Sequence, residues 1–220
     1  MPFTNQDGKP ITLGELTKGK KPLILSLNYY RCKTLCGLQL HNLSQTIKDL
    51  SWPIGKDFSM VTVSFDPSDT AALAKEKQRE YLNLTNQPQG DWSFLTGSSD
   101  SIDKLTKKIG FFYNYIPKTQ EYSHTAAIFF ISPDGTITRY LYGISYKTND
   151  VKFSIMDAAS NTVGSAADQI LLFCHTYDPN TGAYTGLAMG LMRLVGIISM
   201  ILIFGTIGFF VWKSRKTKGS

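Results

Sequence analysis

Residues 22–30 (PLILSLNYY) form an unbroken apolar run, the pattern of a strand covered on both faces. Residues 58–65 (FSMVTVSF) predict a second central strand. Between them, Leu35, Leu38, Leu43, Ile47 and Leu50 fall near one side of a helix predicted over residues 34–50. Asp66-Pro67-Ser68-Asp69 then supplies a turn and an N-cap for a helix over residues 70–84. Ahead of the first run, residues 3–13 read as two short strands around an Asp7-Gly8 turn. A short strand over residues 91–95 and a helix over 98–109 come next. Strands over residues 125–132 (TAAIFFIS) and 136–142 flank Pro133-Asp134-Gly135, a hairpin signal. Residues 149–159 and 166–173 carry helical patterns.

Strands alternating with helices, closed by a hairpin and a helix, describe an α/β sandwich. The order is that of a thioredoxin-like fold with an N-terminal hairpin and a helical insertion before the closing hairpin. The predicted domain covers residues 1–173, and a polar connector with glycine and proline covers 174–186. Beyond it the pattern changes. Residues 195–212 (VGIISMILIFGTIGFFVW) carry no charge. A helix of that length rises about 27 Å, close to the hydrocarbon thickness of a bilayer. With the residues before it, a single transmembrane helix is predicted over 187–213, followed by a basic tail over 214–220.

The formal net charge of +6 changes meaning once it is located. Five basic residues and no acidic ones lie from Arg193 onward, and the remainder carries 18 basic against 17 acidic residues. The excess belongs to a membrane flank, which removes the main support for a nucleic-acid partner. Trp212 followed by KSRKTKG is the aromatic and basic flank of a cytoplasmic helix end, so the large N-terminal part is expected outside the cytoplasm. Nothing before Thr4 has the pattern of a secretory signal, and a leader ahead of Met1 is expected.

Three cysteines, Cys32, Cys36 and Cys174, are too few for a disulfide framework. Cys32 and Cys36 follow the first central strand at the start of a helix, where i, i+4 spacing puts both on one face if the first turn is helical. Helix N–H groups, with Arg31 and Lys33 alongside, favour thiolate over thiol. Such a pair forms a disulfide or holds a soft metal. The plainer account, two small buried hydrophobes, suits a basic turn poorly. His124, in the loop EYSH at the start of the strand TAAIFFIS, lies close to the cysteine-bearing helix in a thioredoxin-like layout. Two thiolates and an imidazole make a three-coordinate site that favours Cu(I) and accommodates Cu(II).

Y-R-C-K-T-L-C (30–36), V-S-F-D-P-S-D-T (63–70) and S-H-T-A-A-I-F-F-I-S-P-D-G (123–135) resemble the three signature regions of the SCO/SenC copper proteins. The resemblance spans roughly residues 3–159. It implies a thioredoxin fold, copper held by Cys32, Cys36 and His124, and a role in building the dinuclear copper A centre of cytochrome c oxidase, with oxidase subunit II or a respiratory supercomplex as partner. Asp66 falls on the family's acidic position near the site, where it supports the ligands or docks the partner. Proline often follows each cysteine in the family, whereas Lys33 and Gly37 stand here, which bears on loop rigidity and redox potential. The C-terminal anchor is similar to that of a bacterial subgroup. The expected location is therefore a bacterial inner membrane, with the large domain periplasmic and the C-terminus cytoplasmic.

Other readings use the same residues. A thiol–disulfide oxidoreductase that keeps the client's cysteines reduced needs Cys32 and Cys36 but gives His124 no required role. A permanent accessory subunit of a respiratory complex would use the anchor for assembly. A peroxidase needs a threonine three residues before its cysteine in a proline-containing loop, and Thr34 is two before Cys36 in a loop without proline. Cys174 and His175 read as structural parts of the connector, with extension of the copper site or a mixed disulfide as the alternative. His41 is rotated about 140° from Cys36 on a helix, which argues against ligation. The glycosylation patterns at Asn42 and Asn83 fall on predicted helices and are discounted. The aromatic run over residues 111–115 reads as a packed loop, or else as an apolar rim for docking an oxidase subunit.

Overall fold

The computed structural model describes residues 1–17, 21–32 and 35–162, and beyond them residues 177–178, 183–184, 196–197, 199–200, 202–204 and 206. The chain divides into two units, Met1–Ser165 and Ala166–Ser220.

In the first unit a seven-stranded sheet is built from β1 (Pro2–Asn5), β2 (Pro10–Thr12), β3 (Leu23–Asn28), β4 (Ser59–Ser64), β5 (Trp92–Thr96), β8 (Ala127–Ile131) and β9 (Ile137–Tyr142), in the order β2-β1-β5-β4-β3-β8-β9. The three central strands, β5, β4 and β3, are parallel, and the flanking pairs are antiparallel. The helices are α1 (Leu13–Thr17), α2 (Leu35–Leu50), α3 (Ala71–Leu84), α4 (Ser99–Ile109) and α5 (Thr148–Ala159). A separate hairpin, β6 (Tyr113–Ile116) and β7 (Glu121–His124), is inserted between α4 and β8.

The continuous apolar run of β3 is buried on both faces, because successive side chains point to opposite layers. Ile24 and Tyr30 join the layer packed by α2, α3 and α5, while Leu23, Leu25, Leu27 and Tyr29 join the layer packed by α4. This is the sandwich the sequence predicts. Helix ends follow local chemistry: Ser98 caps α4 by accepting the Ser101 N–H, and Gly110 ends it at φ 69°, a left-handed conformation natural to glycine. At α3 the cap is Thr70, which accepts the Leu73 N–H, and not the expected Asp69.

Along α2 the buried stripe is Cys36, Leu40, Leu43, Ile47 and Leu50, a 4-3-4-3 spacing, while Leu38 points outward at 46% exposure. Leu38, expected on the core side, faces solvent, and Leu40 is buried in the stripe instead. The true stripe carries Cys36 into the interior.

In the second unit, Tyr177–Asp178 and Ala183–Tyr184 pair antiparallel. Among the described residues, no helix is long and apolar enough to cross a membrane. Those described from the predicted span, including Ile197, Met200, Leu202, Ile203 and Phe204, are helical and exposed. The rest of the span, the helix expected over 166–173, Cys174, His175 and the basic tail lie outside the described residues.

Candidate metal centre

The carboxyl ends of β3 and β4 position the site. After Asn28 the chain turns at Tyr29 to Cys32, where the Cys32 N–H donates to the Tyr29 carbonyl at 3.2 Å. Asp69, just after β4, fixes that turn. Its buried carboxylate accepts the Tyr30 N–H at 2.7 Å and the Ser64 hydroxyl at 2.6 Å, and stands 3.4 Å from Arg31 Nε. Arg31 also donates to the Ser68 hydroxyl and carbonyl at 3.0 and 2.8 Å. Burial pushes the Asp69 carboxyl up, against the pull of Ser64 and Tyr30. The sequence reading treated Asp69 only as a capping residue; it is the brace of the cysteine turn.

Cys32 precedes α2 and its sulfur accepts the Cys36 N–H at 3.4 Å, so it meets the positive end of the helix from outside. Cys36 lies within the first turn, buried at 2% exposure. Neither cysteine is held in a disulfide. The expected bias toward thiolate does not hold for Cys36: a hydrogen bond to the Cys32 sulfur, then burial, push its thiol up. Nor is Cys36 a plain core hydrophobe, because its sulfur lies 3.1 Å from His124 Nε2.

His124 is the last residue of β7, paired with Tyr113 of β6, and not a loop residue at the start of β8. The inserted hairpin delivers the imidazole. Three rings hold it: Phe65 at 5.0 Å between centroids, Phe111 at 5.9 Å and Tyr29 at 6.3 Å. His124 Nδ1 lies 3.2 Å from the Thr125 carbonyl, which can only accept, so Nδ1 carries the proton. That tautomer turns the Nε2 lone pair toward Cys36. Burial pushes the imidazole down, favouring its neutral form, while the Thr125 carbonyl and the Cys32 charge act the other way. An imidazole with one nitrogen pinned to a carbonyl and the other presented as a lone pair is arranged as metal-binding histidines are.

Cys36 thus stands between the other two donors. Among the described residues no three His, Cys, Asp and Glu side chains surround a common point closely enough to form a metal cluster.

Beneath the site runs a buried polar chain that the sequence reading missed. Asn28 donates to Gln39 at 3.0 Å, and Gln39 donates to the Ala127 carbonyl at 3.2 Å and to the Tyr146 hydroxyl at 2.8 Å. Tyr146 in turn donates to the Gly143 carbonyl at 2.6 Å. This chain locks the first two turns of α2 to β8 and the loop after β9, fixing Cys36 relative to the sheet. The available signal was Gln39 itself, a polar residue three positions after Cys36 in a helix that packs on the sheet.

Asp66 lies beside the site. Its carboxylate accepts the Ser68 N–H at 2.8 Å and the Ser68 hydroxyl at 2.6 Å. It lines a cleft with Tyr29, Arg31 and Tyr122, and burial followed by the Asp66 charge pushes the Tyr122 hydroxyl up. Of the aromatic run, Phe111 is buried and Phe112 is 68% exposed in the loop after α4, while Tyr113 to Tyr115 lie in β6 and not in a loop. Asn42 and Asn83 lie within α2 and α3, as expected.

A thioredoxin-like sandwich whose first long helix opens on two thiols, faced by an imidazole from an inserted hairpin, defines a protein of thiol-based metal or redox chemistry. The SCO1/SenC family model matches residues 2–152, and the chain belongs to that family. The mouse mitochondrial protein SCO2 homolog is 25% identical over 141 residues, covering 60% of this chain and 51% of its own. The chain spans about half the length of the curated relatives it matches. Among solved structures, a protein of Aquifex aeolicus assigned to electron transfer superposes with TM-score 0.64 at 28% identity, covering 76% of this chain and 93% of that one. Arabidopsis thaliana ScoI, solved with copper bound, superposes at TM-score 0.60 and 22% identity over 73% of this chain and 96% of its own, which supports the fold.

Proposed function

We propose that the chain binds copper through Cys32, Cys36 and His124 and delivers it to the copper A centre of cytochrome c oxidase subunit II. One observation carries the reading: His124 Nε2, 88 positions away in sequence, faces the Cys36 sulfur at 3.1 Å with its proton parked on the opposite nitrogen. Family membership supports it, as does the copper bound in Arabidopsis thaliana ScoI. Two soft sulfurs and one nitrogen suit Cu(I), and three donors leave the ion open to an incoming ligand.

A thiol–disulfide reductase is the second reading, favoured by the hydrogen bond that links the two unbridged cysteines. The two part at His124. His124→Ala is expected to lower Cu(I) affinity at least about a hundredfold, beyond the 10–100-fold that follows loss of an outer partner of a ligand. It should leave thiol–disulfide exchange with a cysteine-pair peptide within about threefold of wild type. Competition titration and an exchange assay check this; copper affinity unchanged in the variant, with exchange retained, would reverse the choice.

The delivery site is placed, on this reading, at a bacterial inner membrane, with residues 1–173 periplasmic, residues 187–213 spanning the bilayer and residues 214–220 cytoplasmic. Anchoring in the client's own membrane raises the encounter concentration. Removing residues 187–220 should shift the protein from the membrane to the soluble fraction on cell fractionation, and retention in the membrane would refute the anchor.

A further inference from the structure

Cys32 and Cys36 also form part of the wall of a cavity of about 220 Å³, and His124 is not among its lining residues. The rest of the wall comes from the turn before α2, the first turns of α2 and the facing side of α3, including Gly37, His41 and Tyr81. The cavity therefore meets the two cysteines on a side other than the one the imidazole occupies. The cavity is open there because residue 37 has no side chain. A Cβ at Gly37 would meet Tyr81 Oη at 3.8 Å, an ordinary contact, so a side chain can start from this position. The charged wall residues satisfy each other: Lys77 pairs with Glu80 at 2.8 Å. The two cysteines share the wall with His41 and Tyr81 among its other polar residues.

Building on the copper reading, we infer that this cavity is the port for ligand exchange, admitting one soft donor on a narrow stem, a thiolate, to the copper held at Cys32 and Cys36. In the exchange the incoming thiol gives up its proton as its sulfur–copper bond forms. One protein sulfur–copper bond breaks and that sulfur takes up a proton, and copper remains Cu(I) throughout. The donor sulfur comes from a free small thiol or from a cysteine of a protein chain, and the test separates these sources.

The test compares wild type with Gly37→Leu, which fills the cavity, and Gly37→Ala, which narrows it. Full-length protein in detergent micelles, loaded with one equivalent of Cu(I), is mixed with N-acetylcysteine or with an extended decapeptide containing one cysteine. With equilibrium Cu(I) affinity within about threefold of wild type, Gly37→Leu is expected to slow transfer at least tenfold, with Gly37→Ala intermediate. Slowing with both probes assigns the port to thiols of either source; slowing with N-acetylcysteine alone confines it to free thiols. Unchanged transfer rates with both probes overturn the inference. Alkylation of the metal-free thiols by iodoacetamide gives a readout independent of copper. It should slow at least tenfold in Gly37→Leu, and equal rates would overturn the port even if the copper reading stood. Failure of wild type to bind Cu(I), with alkylation slowed, would strike the copper reading instead.

Discussion

Replacing Cys36 with serine is expected to weaken Cu(I) binding about a thousandfold, roughly 4 kcal/mol. Serine keeps the size of the side chain and its ability to donate a hydrogen bond. The contact with His124 Nε2 and the packing of the α2 stripe should therefore survive, and only the softness of the donor is lost. Cys36 is the position of greatest effect because it touches both other donors, the Cys32 sulfur through its N–H and thiol and the imidazole through its sulfur. The asymmetry in burial matters as well. Cys32 is partly exposed, whereas Cys36 sits in the core at 2%, where a misplaced ligand has no room to adjust. Competition titration of the full chain in detergent micelles measures the change. A loss smaller than tenfold would show that Cys36 is not a ligand.

The second large effect is on pH dependence. A hydrogen bond to the Cys32 sulfur, followed by burial, holds the Cys36 thiol above the ordinary cysteine range. Ligation requires thiolate, so below that raised value every copper ion bound must expel the Cys36 proton. Apparent affinity then rises about tenfold per pH unit for each proton released. His124 contributes nothing to this slope at neutral or alkaline pH, because burial has pushed its imidazole down and it is already unprotonated at Nε2. From pH 7 to pH 9, Cu(I) affinity should climb at least about tenfold per unit, and direct proton-release measurements should find the Cys36 proton. A flat profile would mean that Cys36 enters the complex as a preformed thiolate or not at all.

The parallel core was legible because its signals are local and redundant. The continuous apolar runs of β3 and β4, each followed by a capped or turn-led helix, leave few alternatives. The closing hairpin announced itself through Pro133-Asp134-Gly135, with Gly135 at φ 90°. The inserted hairpin did not. Its turn runs through Pro117, Lys118, Thr119 and Gln120, and the left-handed position belongs to Gln120 at φ 57°, where glycine or asparagine would have advertised it. Its strands pack tyrosines on Phe65 at centroid distances of 5.0 and 5.4 Å, a long-range contact with no trace in local periodicity. His124 was therefore recognised as a ligand candidate while the element that carries it was missed.

The same division holds within the site. Cys32 and Cys36 stand out by spacing, but the burial of Cys36 depends on which leucines of α2 face the sheet, and Leu38, which the spacing puts on the core side, is exposed. Asp69 and Gln39 act through side-chain bonds to other elements and loops, at Tyr30, Ser64, Asn28 and Tyr146. Residue type alone could name them as polar, not as the brace and the lock of the cysteine turn. Cys174 and His175 lie outside the described residues, and their reading as connector residues stays as the sequence left it.

Copper K-edge X-ray absorption of the full-length protein loaded with one equivalent of Cu(I), recorded beside the His124→Ala variant, tests the convergence of these donors most directly. Two sulfur scatterers and one imidazole nitrogen are expected in the wild type, and the nitrogen should vanish in the variant. A first coordination sphere that is the same in both proteins would contradict the assignment of His124, and one without two sulfurs would contradict the site altogether.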